Sequence, residues 1–245
     1  PILQRELAQG GAVHDAMRHS LLYAQGRYQQ FIGQGLEAAQ SLRAAYELAP
    51  VDGVLITKAD IALALGDLLM RSEQFTDAEL YYRYADQFYR TANEENGRAE
   101  VAVQRSLSFL ISNNLSASRE VLDVYLLHHL ARGNRDAIAV GEKIVGCIAR
   151  SARQWPLALQ HLDRAAAIFA STNNRAELRA VQLKQASVLV AMGREQEALP
   201  LLMTTAAEPE QSSAVDRMVA HGALAQLSER RGDFAGAYQH TQERD

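Results

Sequence analysis

Small residues recur along this chain at a spacing of about 40 residues. One series lies in apolar segments and reads Gly26, Gly66, Ser106, Gly146, Ala186 and Ala225. A second series follows at Ala38, Ala78, Ser118, Ala158, Ala198 and Ala237, and four residues later come Leu42, Tyr82, Leu122, Leu162 and Leu202, with Thr241 as the exception. Antiparallel helices pack closely where a small residue on one receives a bulky residue from the other. A hairpin built in this way leaves an apolar face that only another hairpin covers, so the period predicts a stack of helical hairpins.

The composition supports an all-α fold. Hydrophobic residues make up 48% of the 245 positions, there are only 5 prolines, and strong helix formers such as Ala, Leu, Gln, Arg and Glu dominate. Gly and Asn tolerate the left-handed conformation at a helix end, so turns are expected near Asn93, Gly133 and Asn173. About six antiparallel hairpins are predicted, at 13–49, 52–93, 97–131, 135–172, 175–207 and 213–245.

One segment carries a family resemblance. Leu65-Gly66 in a first helix, Phe75 before the second helix, and then Ala78, Tyr82 and Ala85 resemble a tetratricopeptide repeat. The unit is longer than the standard repeat of about 34 residues and is similar to the long repeats of bacterial regulatory proteins. The resemblance implies one right-handed superhelical solenoid over 1–245. Both chain ends fall late in a second helix and lack a polar cap, so we expect an interior piece of a longer protein.

Charge and motifs favour binding over catalysis. The net charge of −4 and the pI of about 6.0 give no basic surplus for nucleic acid or anionic membrane. Cys147 is the single cysteine, and phosphate-loop and zinc-protease patterns are absent from the sequence. For Cys147 and His161, a packing role is favoured over a catalytic role. For the histidine pairs His128-His129 and His14/His19, a surface role is favoured over metal binding. We therefore expect a cytoplasmic protein that is not an enzyme and has no cofactor or metal.

The resemblance also implies a binding groove, because first helices line the concave side of such an array. The positions in that register are Tyr23, Arg27, Gln30, Asp60, Asp67, Arg71, Glu100, Lys143, Arg150, Gln226, Glu229 and Arg230. The fifth hairpin instead offers an apolar stretch there, Ala180, Leu183, Ser187 and Val190, which could receive a hydrophobic side chain or helix.

Two functions fit a groove of this kind. The first is a sensing or interaction region of a bacterial signalling or transcription-regulatory protein. The alternative is a scaffold or chaperone-like adaptor in a secretion or assembly complex, without an output domain. The expected partner is a protein or peptide, and a small-molecule effector and a homodimer stay open.

Overall fold

A computed structural model describes residues 12–49, 55–207 and 213–244. Within these residues the chain forms twelve α-helices and no strand. They are α1 (Ala12–Phe31), α2 (Gly35–Leu48), α3 (Leu55–Arg71), α4 (Phe75–Thr91), α5 (Glu95–Ile111), α6 (Leu115–Arg132), α7 (Arg135–Ser151), α8 (Trp155–Ser171), α9 (Arg175–Ala191), α10 (Glu195–Ala207), α11 (Ala214–Arg230) and α12 (Phe234–Arg244).

Consecutive helices pair as the sequence predicts. The six hairpins are α1–α2, α3–α4, α5–α6, α7–α8, α9–α10 and α11–α12, and their bounds lie within a few residues of the predicted ones. The expectations about both chain ends fall outside the described residues, as does the side chain of His14. In the described part of the chain, no helix is both long and apolar enough to cross a membrane.

Wherever the structure describes the whole turn between two helices, that turn contains one residue with positive φ. Asn93, Gly133 and Asn173 adopt φ values of 56°, 64° and 57°, which confirms the helix stops predicted at these positions. Glu73 and Arg153 adopt the same conformation at 58° and 57°. Their Cβ atoms make the left-handed conformation unfavourable, so the packing of the flanking helices must hold these two turns.

Close helix packing at the glycines confirms the predicted small-to-large pairing. A Cβ atom added to Gly66 would lie 2.5 Å from the Tyr82 ring, and one added to Gly146 would lie 2.8 Å from Cγ of Leu162. No side chain fits in this space, so glycine sets the distance between the two helices of these hairpins.

The third hairpin uses serine in place of the glycine and alanine found in its neighbours. The Ser106 hydroxyl donates to the backbone oxygen of Ser118 at 2.9 Å, and the Ser118 hydroxyl donates to the backbone oxygen of Ser106 at 2.7 Å. Both side chains are fully buried. These reciprocal hydrogen bonds satisfy the buried hydroxyls and hold α5 against α6.

The chain divides into two compact units, Pro1–His128 and His129–Asp245, here called the N-terminal unit and the C-terminal unit. In the N-terminal unit, Tyr82, Ala85 and Tyr89 of α4 lie in a core with α3 and α5. In the C-terminal unit, Leu162 and Phe169 of α8 pack against α7 and α9. A second cluster there joins α9, α10 and α11.

Candidate functional site

The predicted groove positions lie on the first helix of their hairpins in both units. In the N-terminal unit these helices are α1, α3 and α5, and in the C-terminal unit they include α7 and α11. The two sets of side chains have different character, and each is described within its own unit.

Among the described carboxyl groups of the N-terminal unit, Asp67 is the one whose pKa departs from its ordinary value. The Tyr82 hydroxyl donates to Oδ1 of Asp67 at 3.0 Å. Burial raises the pKa of Asp67 to about 6, while the hydrogen bond from Tyr82 and the charge of Arg71 oppose the rise. Glu100 adds to the rise and Arg27 opposes it, so four predicted groove residues share one electrostatic environment.

A second polar contact lies nearby on the same helices. The Tyr89 hydroxyl donates to Oδ1 of Asp60. Burial raises the pKa of Tyr23; Arg27 opposes this rise and Asp60 adds to it. Gln30 is half-buried near the end of α1. In the N-terminal unit, the predicted groove residues therefore form a surface of mixed charge. Two of its acidic groups, Asp60 and Asp67, accept hydrogen bonds from tyrosine hydroxyls.

The C-terminal unit contains a pocket of about 430 Å³ among α7, α9, α10 and α11. The volume falls within the range of about 300–1,000 Å³ typical of ligand sites. Leu183, Leu202 and Leu227 form buried parts of its wall, with at most 8% of their surface exposed. Val215 and Val219 also line it and are 64% and 46% exposed. Large apolar side chains this exposed are groups that a partner could cover.

Cations outnumber acids around this pocket. Arg150, Lys184 and Arg230 line it, against the single carboxylate of Asp216. Arg150 donates to the Ser187 hydroxyl at 3.2 Å, and a distance of 3.5 Å separates Arg230 from Oε1 of Glu195. Among the described residues the Lys184 ammonium makes no hydrogen bond or ion pair. The rim is therefore electropositive around an apolar interior.

Part of this pocket is lined by residues that were predicted from the sequence. Arg150, Gln226 and Arg230 line it as predicted groove residues, and Leu183, Ser187 and Val190 come from the predicted apolar stretch. Three other predicted residues lie apart from the lining: Ala180, Lys143, which pairs with Glu177 at 2.6 Å, and Glu229, which is exposed.

The pocket lining also includes Lys184 and three residues of α11, Val215, Val219 and Ala223, which were not predicted from the sequence. The three α11 residues are spaced four apart, and this spacing was the available signal.

The histidines considered for chemistry have other contacts. Nδ1 of His161 lies 2.6 Å from Oε2 of Glu142, while Cys147 is buried. His128 contacts Oδ1 of Asn96 at 3.1 Å, and His19 contacts the hydroxyl of Ser20 at 3.2 Å.

Comparison with known proteins gives structural neighbours only. No family model and no curated protein matches the chain. Aspartyl phosphate phosphatase F from Bacillus subtilis superposes with a TM-score of 0.73 at 13% identity, covering 94% of this chain and 70% of that one. A Rap protein complexed with Competence and Sporulation Factor gives 0.69 at 13%, covering 99% and 77%.

A third neighbour is a kinesin light chain from Podosopora anserina with nearly identical TPR-like repeats. It gives a TM-score of 0.61 at 18% identity, covering 78% of this chain and 93% of that one. Together with the six paired hairpins, these likenesses show that the chain has the tetratricopeptide-like helical-repeat fold.

Proposed function

We propose that this chain is a binding module that holds a short segment of a partner protein in the pocket of the C-terminal unit. The segment carries apolar side chains flanked by carboxylates. The module serves as the sensing or interaction region of a bacterial signalling or transcription-regulatory protein. The observation that carries the proposal is the apolar pocket of about 430 Å³ with three cations at its rim.

The shape of the pocket favours a peptide. Val215, Val219 and Ala223 follow one another at single-turn intervals along α11, and Ser187 and Val190 face the same pocket from α9. Such a stripe suits a helix or an extended segment that inserts side chains at regular intervals. Burying one leucine-sized side chain in it contributes about 1.5–3 kcal/mol.

The charge of the rim favours an acidic segment. Asp216 accepts a hydrogen bond from the Ser213 hydroxyl at 2.7 Å, and the Ser213 oxygen in turn accepts one from the backbone N–H of Asp216 at 3.0 Å. This carboxylate is therefore engaged in capping α11. A carboxylate of the partner would face Lys184 and Arg150, and opposite charges at the rim speed association and fix the orientation.

The comparisons lend support at the level of fold. One neighbour was solved as a Rap protein complexed with Competence and Sporulation Factor, and another is an aspartyl phosphate phosphatase. A regulatory role for this chain is consistent with the fold it shares with these two proteins.

The test is selection of a binding peptide from a random eight-residue phage-displayed library on the immobilised protein. The enriched sequences are expected to combine Leu, Ile or Phe with Asp or Glu. A fluorescein-labelled copy of the enriched peptide then gives the Kd by fluorescence anisotropy. Val219→Glu and Lys184→Glu are each expected to weaken binding at least tenfold, which is about 1.4 kcal/mol.

The matched control is Val124→Glu. Val124 of α6 is 45% exposed and Val219 is 46% exposed, so both substitutions place a glutamate on a half-exposed helix surface. The control is expected to leave the Kd unchanged. The proposal is refuted if no sequence is enriched over the bare support, or if the selected peptide binds both pocket variants as tightly as the wild type.

A further inference from the structure

Two histidines and a glutamate converge in the last hairpin, away from the pocket just described. His221 lies on α11, and His240 and Glu243 lie on α12. The Nδ1 atoms of the two histidines are 3.3 Å apart. Oε2 of Glu243 is 3.2 Å from Nδ1 of His221 and 3.8 Å from Nδ1 of His240.

These three distances have the dimensions of a metal site. Zn²⁺ lies about 2.0–2.1 Å from histidine nitrogens and carboxylate oxygens, so tetrahedral geometry separates any two ligand atoms by about 3.4 Å. The triangle of 3.2, 3.3 and 3.8 Å therefore matches one face of a tetrahedron. We propose that His221, His240 and Glu243 bind a divalent transition-metal ion, with Zn²⁺ as the best fit.

The surroundings support a site held in place by the fold. The side chains of His221 and His240 are 12% and 26% exposed, so the helices restrict both rings, while Glu243 at 46% gives access from solvent. The three residues also line a pocket of about 380 Å³ together with Met203 and Leu224. A fourth ligand, such as water, would enter from this pocket.

Hydrogen bonds alone would satisfy these three atoms less completely than a bound metal ion would. One Nδ1–H can donate to one acceptor, but here each of the three atoms faces two others within 3.8 Å. Only one proton can lie between the two imidazoles, whereas a single cation attracts both nitrogen lone pairs and the carboxylate together. Two nitrogens and one oxygen suit Zn²⁺, Co²⁺ or Ni²⁺ better than Mg²⁺ or Ca²⁺, which prefer oxygen ligands.

The site is separate from the proposed peptide pocket. His221 and Leu224 face one pocket, whereas Val219 and Ala223 face the other, so α11 lies between the two. A bound ion would join α11 to α12 and stabilise the last hairpin. At a concentration of 100 times Kd, the ion is expected to raise the Tm by about 5 °C.

The test uses the full chain after treatment with EDTA and desalting. Calorimetric titration with ZnCl₂ is expected to give one ion per chain, and titration with CoCl₂ is expected to give the intense visible absorption of four-coordinate cobalt. His221→Gln, His240→Gln and Glu243→Gln are each expected to weaken Zn²⁺ binding at least tenfold. Circular dichroism of each metal-free variant establishes that it is folded.

The matched control is His161→Gln, which removes a histidine that pairs with a glutamate, Glu142, on a neighbouring helix. This variant is expected to bind Zn²⁺ as the wild type does. The proposal is overturned if Zn²⁺ does not bind, if the His221→Gln/His240→Gln double variant retains the wild-type affinity, or if the stoichiometry is one ion per two chains. Absent binding would leave the three groups as a hydrogen-bonded cluster.

Discussion

Replacing Gly66 with alanine tests the packing rule that generates the repeat. The added Cβ would lie 2.5 and 2.6 Å from Cε1 and Cδ1 of Tyr82 and 3.1 Å from Cζ. The ring is fully buried, and its hydroxyl donates to Asp67 at 3.0 Å. The ring therefore cannot move aside without loss of this hydrogen bond or separation of α3 from α4.

The expected magnitude follows from opposing contributions. Overpacking of a filled core costs about 1–3 kcal/mol. Weakening the hydrogen bond from Tyr82 to a charged carboxylate adds about 1.5 kcal/mol. The higher helix propensity of alanine stabilises the folded protein by about 0.8–1.0 kcal/mol relative to glycine. The Gly66→Ala variant is therefore expected to lose about 1.5–3.7 kcal/mol of unfolding free energy.

The assay is urea unfolding followed by circular dichroism, and the midpoint concentration and slope of the transition are compared between variants. Gly35→Ala is the matched control, because a Cβ at Gly35, the first residue of α2, meets no atom within 4 Å. This control is expected to be neutral or to gain up to about 1 kcal/mol. The packing argument is refuted if Gly66→Ala is as stable as the wild type or is stabilised along with the control.

Three further predictions concern stability. Burial raises the pKa of Asp67 to about 6 in the folded protein, against an ordinary value of 3.8. As pH falls from 7 toward 4, the folded state therefore binds a proton before the unfolded state does, and the free energy of unfolding rises. Asp67→Asn should remove up to about 3 kcal/mol of that pH dependence, measured by urea unfolding at several pH values. Ser118→Ala leaves the buried Ser106 backbone oxygen without its hydroxyl donor and should cost about 1 kcal/mol by the same assay, and equal stability would contradict this. Arg153→Gly removes a Cβ from a residue at φ 57° and should raise the Tm, whereas a lower Tm would show that the turn is not strained.

Much of the fold could be predicted from the positions of small residues. Gly26 opposite Leu42, Gly66 opposite Tyr82 and Gly146 opposite Leu162 recur at one sequence separation, and the close contacts confirm them. Steric exclusion leaves a regular trace in sequence, because only small residues fit where the two helices of a hairpin come this close.

Polar contacts across helices were harder to predict. Tyr82 and Tyr89 lie in the core, and their hydroxyls also reach Asp67 and Asp60, two predicted groove residues. An aromatic position in a repeat indicates burial, whereas the direction of its hydroxyl depends on the rotamer and on the neighbouring helix.

The sequence separation within a hairpin places one residue of the histidine cluster. His221 lies one turn before Ala225, and the separation that joins Gly66 to Tyr82 places Thr241 opposite Ala225. In an antiparallel hairpin, a residue nearer the start of the first helix lies opposite a residue nearer the end of the second helix. Residues just beyond Thr241, such as Glu243, are thus expected near His221, as the structure has them.

The most direct test of the proposed binding function is to locate the bound peptide by methyl NMR of the 27.0 kDa chain. The peptide selected from the phage library is titrated into protein with labelled valine and leucine methyl groups. The account predicts that the largest shifts occur at Leu183, Val190, Val215 and Val219, which line the C-terminal pocket. Shifts confined to methyl groups of the N-terminal unit, such as Val124, would contradict it.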